Sequence, residues 1–173
     1  FPRSTDNTPC FYNHFVTDRE EPFDQPGTPE EPKGHYIFDK PEPLWNFGHG
    51  KSYTTFDYVD CALSDTLLAA SDTLKVSVMI KNTGRCDGKE VVQLYVRDKV
   101  STVATPIQQL KAFQKVLVKS GESQCVELSL PIAELALYNA KMEEVVEPGD
   151  FEIQIGAASD DIRFKKTITI NRK

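Results

Sequence analysis

This 173-residue chain predicts a mainly β fold, a two-sheet β-sandwich of immunoglobulin-like type with about seven strands. Three observations lead there. After about residue 53, short runs alternate apolar and polar side chains, which gives each run one face to bury. Glycine, proline, asparagine and aspartate separate those runs at turn spacing. Before that point the chain has a different character, an irregular segment rich in proline and aromatics. Eight of the eleven prolines fall in residues 1–50, and twelve of the seventeen aromatics fall in residues 1–60.

The elements follow in order. The first strand starts near residue 53. In the second, Leu74, Val76, Val78 and Ile80 alternate with Lys75, Ser77, Met79 and Lys81. Asn82-Thr83-Gly84 and Asp87-Gly88 supply the next turn. Val92, Leu94 and Val96 then form an inward row, with Gln93 and Arg97 outward. Residues 110–118 form a fourth strand, with Phe113 and Leu117 opposed to Ala112, Val116 and Val118. Ser120-Gly121-Glu122 turns into Val126, Leu128 and Leu130. Pro131 is placed to start a short helical turn over Ile132 to Leu137, since proline is tolerated at the first helical position. Glu147-Pro148-Gly149-Asp150 leads into Phe151, Ile153 and Ile155, and a last strand carries Phe164, Ile168 and Ile170. No Cys…Trp…Cys pattern is present, because the single tryptophan, Trp45, precedes the sandwich.

Ahead of the strands, no helical or strand period runs through residues 18–42. The acidic, proline-rich run 20–32 favours extended, irregular backbone and cannot bury a core of its own. Its neighbouring rings, Phe1, Phe11, Tyr12, Phe15, Tyr36 and Phe38, are expected to pack on an adjoining surface. The stretch from Pro43 to Phe56 places Gly48, His49 and Gly50 between aromatics. Both glycines permit backbone angles that other residues avoid, so the stretch reads as a rigid elbow joining one packed unit to the next.

Bulk properties exclude several functions. The net charge of −6, without any basic run, argues against a nucleic-acid partner. No apolar stretch approaches the roughly 20 residues that span a membrane. The chain starts at Phe1 with neither an initiator methionine nor a signal-peptide pattern, so a fragment of a longer polypeptide is expected. Cys10, Cys61, Cys86 and Cys125 lie far apart. Isolated thiols are the expectation at this size, although three disulfide pairings are formally open to them.

Catalytic and metal chemistry finds few candidates. Glu20-Glu21, Glu30-Glu31, Glu143-Glu144 and Asp160-Asp161 are paired acids, but neighbours on an extended chain face opposite ways and read as solvated charge. Cys10, His14, His35 and His49 have no helix or hairpin to fix them as metal ligands. His14 and His49 are instead expected to hydrogen-bond backbone where domains pack. No Gly-x-Ser-x-Gly elbow occurs, and Gly48-His49-Gly50 lacks the pattern of a phosphate loop. No cofactor is expected. Tyr12, Trp45, Phe47 and Tyr53 admit two readings, hinge packing between domains or a stacking platform for sugar rings.

Five ordered segments resemble glycoside hydrolase family 3 enzymes, the β-glucosidases and β-xylosidases. Phe1-Pro2-Arg3-Ser4 with Tyr12-Asn13-His14 is similar to the stretch that closes the family's α/β sandwich domain. Pro43-Leu44-Trp45-Asn46-Phe47-Gly48-His49-Gly50 resembles the PLxPFGHG segment that leads into its fibronectin-III-like domain. Residues 88–98, 110–116 and 146–152 are similar to its GKEVVQLYVRD, LKGFQKV and VEPGDFE segments. Departures occur at Thr5-Asp6-Asn7-Thr8, at Asn46 and Lys51, and at Glu144 where the family often has tryptophan. The resemblance implies that residues 1–50 are the tail of the α/β sandwich domain plus linker, and that residues 51–173 are a fibronectin-III-like domain. It also implies a parent enzyme that removes terminal β-linked glucose or xylose by a retaining mechanism. In that mechanism an Asp nucleophile lies on a barrel and an acid/base Glu on the α/β sandwich. Neither motif is matched here, so no catalytic residue is carried over and the chain alone is expected to be inactive. The implied partners are the catalytic domains of the same polypeptide, and as an alternative an oligosaccharide held by Tyr12, His14, Trp45, Phe47, His49 or Tyr53. A secreted or periplasmic location is likewise only implied.

Overall fold

The computed structural model describes residues 1–3, 12, 13, 29 and 43–171. Expectations for Cys10, His14, His35 and most of the proline-rich run fall outside these residues. Alternation has its clearest outcome in β3 (Thr73–Asn82), where Leu74, Val76, Val78 and Ile80 are fully buried. β3 is central in a three-stranded antiparallel sheet, between β1 (Phe56–Leu63) and β6 (Ser123–Pro131). The second sheet has five strands in the order β2 (Leu67–Leu68), β10 (Ile162–Ile170), β9 (Gly149–Gly156), β4 (Gly88–Asp98) and β5 (Gln109–Val118). Its pairs are antiparallel except β2 with β10, which is parallel. The inner rows of the two sheets meet in one core that includes Val92, Leu94, Val126, Leu128, Ile153 and Ile168. Each such side chain contributes about 1.5–3 kcal/mol through burial.

Among the described residues the strand count is ten rather than seven. The additional elements are β2, β7 (Leu137–Tyr138) and β8 (Glu144–Val145), each of two residues. Two residues carry no period, so alternation cannot reveal them. The first strand begins at Phe56 and not at 53. The helical turn is a 3-10 turn over Ile132–Leu135. Pro131 ends β6 with extended backbone and caps the turn, and Ile132 N–H donates to the Asp72 carbonyl at 2.9 Å. Among the described residues Cys61, Cys86 and Cys125 are free thiols.

Three strands carry a one-residue register shift, at Val59 in β1, Lys111 in β5 and Arg163 in β10. A β-bulge leaves one residue out of the ladder and re-aims its side chain. β5 is an edge of the larger sheet, and Phe113 and Leu117 on it are exposed while Val118 is buried. Asn82, fully buried at the end of β3, donates Nδ2 to the Cys86 and Val118 carbonyls, both at 2.9 Å. Its Oδ1 accepts from Thr54 Oγ1 at 2.6 Å and from Gly84 N at 3.0 Å. One side chain thereby ties the end of the elbow, the β3–β4 turn and β5 together.

Candidate functional site

The elbow is built around a β-turn from Asn46 to His49, closed by His49 N–H on the Asn46 carbonyl at 3.2 Å. Gly48 is its third residue with φ 81°, the conformation a type II turn requires there. Gly50 needs no such freedom: its φ is not positive, and a Cβ built on it meets nothing within 4 Å. The expectation that both glycines serve unusual backbone angles therefore holds for Gly48 alone.

The turn lies on the outer face of the five-stranded sheet. Gln93 and Tyr95 of β4 point outward, yet they are 4% and 0% exposed. Gln93 Nε2 donates to the Gly48 carbonyl at 3.2 Å and also to the Ala157 carbonyl. Its Oε1 accepts from the Tyr95 hydroxyl at 2.6 Å, so the amide is satisfied on both sides. Burial pushes the Tyr95 phenol well above its ordinary value, with Tyr12 and Asp160 adding to the rise, so it stays a neutral donor. The β9–β10 connection holds the turn from the other side. Ser159 N–H donates to the Phe47 carbonyl at 2.9 Å, and Asn46 Nδ2 donates to Asp160 Oδ2 at 2.6 Å.

Tyr12 and Phe47 stack at 4.0 Å and 13° between planes, and Tyr12 meets Tyr95 edge-on at 6.3 Å. The Tyr12 hydroxyl accepts from Leu110 N–H of β5 at 3.3 Å. Trp45 and His49 form a second group. They lie nearly parallel at 6.3 Å, and Phe1 packs edge-on to Trp45 at 6.1 Å. The Phe1 nitrogen donates to the Trp45 carbonyl at 2.7 Å, and Leu44 N–H donates to the Phe1 carbonyl at 2.9 Å. An open cleft of about 560 Å³ runs beside these rings, lined by Phe1, Trp45, Phe47, His49 and Lys51.

Of the six residues singled out from sequence, Tyr12, Trp45, Phe47 and His49 thus gather at the elbow. His14 lies outside the described residues. Tyr53 does not join the cluster: its side chain is fully exposed, and its carbonyl accepts from Cys86 Sγ at 3.3 Å. Sequence reasoning missed Gln93, Tyr95 and Asn46 as seam residues. The available signal was the run Gln93-Leu94-Tyr95, in which a large ring faces the side assigned to solvent. Asp160 and Asp161, read from sequence as solvated charge, take different partners. Asp160 holds Asn46, while Asp161 pairs with Arg163 at 2.6 Å.

The Arg163 guanidinium lies 5.7 Å over the Tyr58 ring, and the Tyr58 hydroxyl donates to Glu90 Oε1 at 2.9 Å. Burial raises the Glu90 carboxyl above its ordinary value, while Tyr58 and Arg163 oppose the rise.

Comparison with known proteins matches residues 90–159 to the fibronectin type III-like domain family. A β-xylosidase of Formosa agariphila is 39% identical over 175 residues, covering 100% of this chain and 22% of the relative. A periplasmic β-glucosidase of Salmonella typhimurium is 35% identical over 166 residues, covering 94% of this chain and 21% of the relative. A solved structure of a Listeria innocua β-glucosidase in complex with glucose superposes with a TM-score of 0.83. It shares 34% identity and covers 99% of this chain but 23% of that one. The chain therefore spans about a fifth of the length of the relatives it matches. It carries a fibronectin type III-like domain and corresponds to the C-terminal portion of glycoside hydrolase family 3 enzymes of the β-glucosidase and β-xylosidase type.

Proposed function

We propose that this chain is the accessory C-terminal region of a β-glycosidase acting on terminal β-linked glucose or xylose, and that it is not catalytic alone. Residues 1–50 serve as the end of a preceding α/β sandwich domain and its linker, and residues 51–173 as the fibronectin-III-like buttress. One observation carries this reading. The elbow is fixed to the sheet by Gln93, Ser159 and Asp160, while Trp45 and Phe47 keep 45% and 43% of their surface exposed. A rigid mount that presents rings outward suits docking against the catalytic domains of the same polypeptide. A secreted or periplasmic location draws support from the periplasmic relative.

The test has two arms. The chain alone is assayed on aryl β-glucosides and β-xylosides, with no turnover expected. It is then joined to the catalytic domains of the Formosa agariphila β-xylosidase in place of that enzyme's own C-terminal region. The chimera is expected to turn over substrate, and Gly48→Ala is expected to lower its thermal midpoint without changing KM. Steady sugar release by the chain alone overturns the accessory reading. An unchanged midpoint overturns the role given to the elbow.

The cleft beside Trp45 and His49 supports a second reading, a module that holds an oligosaccharide near the catalytic domains. Titration with cello- and xylo-oligosaccharides decides it, since binding there shifts the Trp45 and His49 signals.

A further inference from the structure

We propose that the end of the sandwich between the 99–108 loop, the β5 bulge and the 3-10 turn binds a small neutral polyol, a single sugar ring, through Asp98 and Lys111. This site is separate from the elbow and does not depend on the function proposed above.

The geometry begins with the bulge. Leu94 pairs with Ala112 and Tyr95 with Leu110, so Lys111 is the extra residue. Its side chain lines a cavity of about 280 Å³ together with Val96, Asp98, Gln109 and Phe151. Lys111 Nζ donates to the Glu134 carbonyl at 2.8 Å, which carries the amine across to the 3-10 turn and leaves two further protons to donate. Asp98 Oδ1 accepts from Val100 N–H at 3.1 Å. Among the described residues Asp98 and Lys111 are not ion-paired with each other. Burial displaces both from their ordinary values, the carboxyl upward and the amine downward. Two opposite charges are thereby held partly out of water across a shared cavity.

Those groups set the ligand chemistry. A hydroxyl-bearing ligand donates to the carboxylate and accepts from the ammonium, and it needs no net charge to satisfy both. Gln109 and Thr105 add further donors and acceptors at the wall. Leu137 and Tyr138 offer apolar surface to the C–H face of a ring. The volume falls just below the roughly 300–1,000 Å³ of sites for drug-sized ligands, which suits a single ring. The loop that supplies Val103 to Pro106 of the wall is braced just before them: Glu147 accepts from Thr102 N–H at 2.9 Å, from the Thr102 hydroxyl, and from Ser101 Oγ at 3.4 Å. A braced loop lowers the ordering cost of binding.

The test is amide NMR of the whole chain titrated with D-xylose and D-glucose to ~100 mM, a range that reaches millimolar Kd values. Saturable shifts are expected at Thr105, Gln109, Lys111 and Tyr138. Asp98→Asn and Lys111→Met, both with dispersed spectra, are each expected to weaken binding about tenfold or more, since each removes a charged hydrogen-bonding group. Absence of saturable shifts in the intact chain overturns the proposal. So do unchanged affinities in both variants, shifts confined to Trp45 and His49, or equal shifts with L-alanine, which would mark a zwitterion site.

Discussion

Replacing Gly48 with alanine tests the elbow most directly. The substitution places a Cβ 2.2 Å from Gln93 Oε1 and 2.9 Å from the Tyr95 hydroxyl, at φ 81°. The left-handed backbone alone costs an alanine about 1–2 kcal/mol. Gln93 cannot rotate away freely, because its amide holds Gly48, Ala157 and Tyr95 together. Losing one of these buried bonds adds about 1–3 kcal/mol. The sum, about 2–5 kcal/mol, falls on docking of the elbow. The readout is native-state exchange of the Ser159 amide, which bonds the Phe47 carbonyl. Its exchange is expected to accelerate by ~30- to 4,000-fold, at tenfold per 1.4 kcal/mol. Gly50→Ala is the control, with open space around its Cβ, and is expected to stay within ~0.5 kcal/mol of the parent. Equal Ser159 exchange in the two variants refutes the assignment of Gly48 to a sterically required turn.

Three further outcomes are expected. Leu94→Ala empties a fully buried site in the larger sheet and lowers denaturant-measured stability by about 2–5 kcal/mol. Asn82→Ala strands two carbonyls, the Thr54 hydroxyl and the Gly84 amide. A loss of about 2–4 kcal/mol is expected from the same measurement, and a loss below ~1 kcal/mol contradicts the hub described for Asn82. Glu90 titrates above the ordinary glutamate value of about 4.3 in the folded chain, so the native state binds that proton more tightly than the unfolded one. Its contribution is greatest below that ordinary value and falls as pH rises through the raised one. Glu90→Gln keeps an oxygen for the Tyr58 hydroxyl and is expected to flatten that fall in denaturant midpoints taken from about pH 4 to 8.

Particular residues separate what the sequence makes legible from what it hides. β3 and β6 follow their alternation because both are packed on one face only, and period two reports that directly. β5 is less transparent. Apolar residues occupy both of its faces, so pattern alone does not say that Phe113 and Leu117 look outward. Gln93 shows the limit most clearly. Its outward direction is readable from Val92 and Leu94, but its burial is not, because the cover comes from a turn 45 residues earlier in the chain. At the elbow the rings and Gly48 are conspicuous in composition, whereas their partners Asp160 and Ser159 lie in an unremarkable turn and become seam residues only through topology. Residues 1–50 as a domain tail remain part of the proposal for the parent enzyme.

Among the described residues β5 is an edge strand, with its Leu110 N–H taken by the Tyr12 hydroxyl, and this edge bears on how the isolated chain behaves at high concentration. An edge strand offers unpaired backbone donors and acceptors to another copy, and Phe113 and Leu117 add apolar surface beside them. Lys115 lies exposed between those two residues on the edge. A lysine there makes strand-to-strand stacking bring like charges together. Lys115 therefore opposes edge-to-edge association in addition to the net charge of −6. Lys115→Val leaves the inner core untouched and makes the outward row at 113, 115 and 117 wholly apolar, a template for self-association.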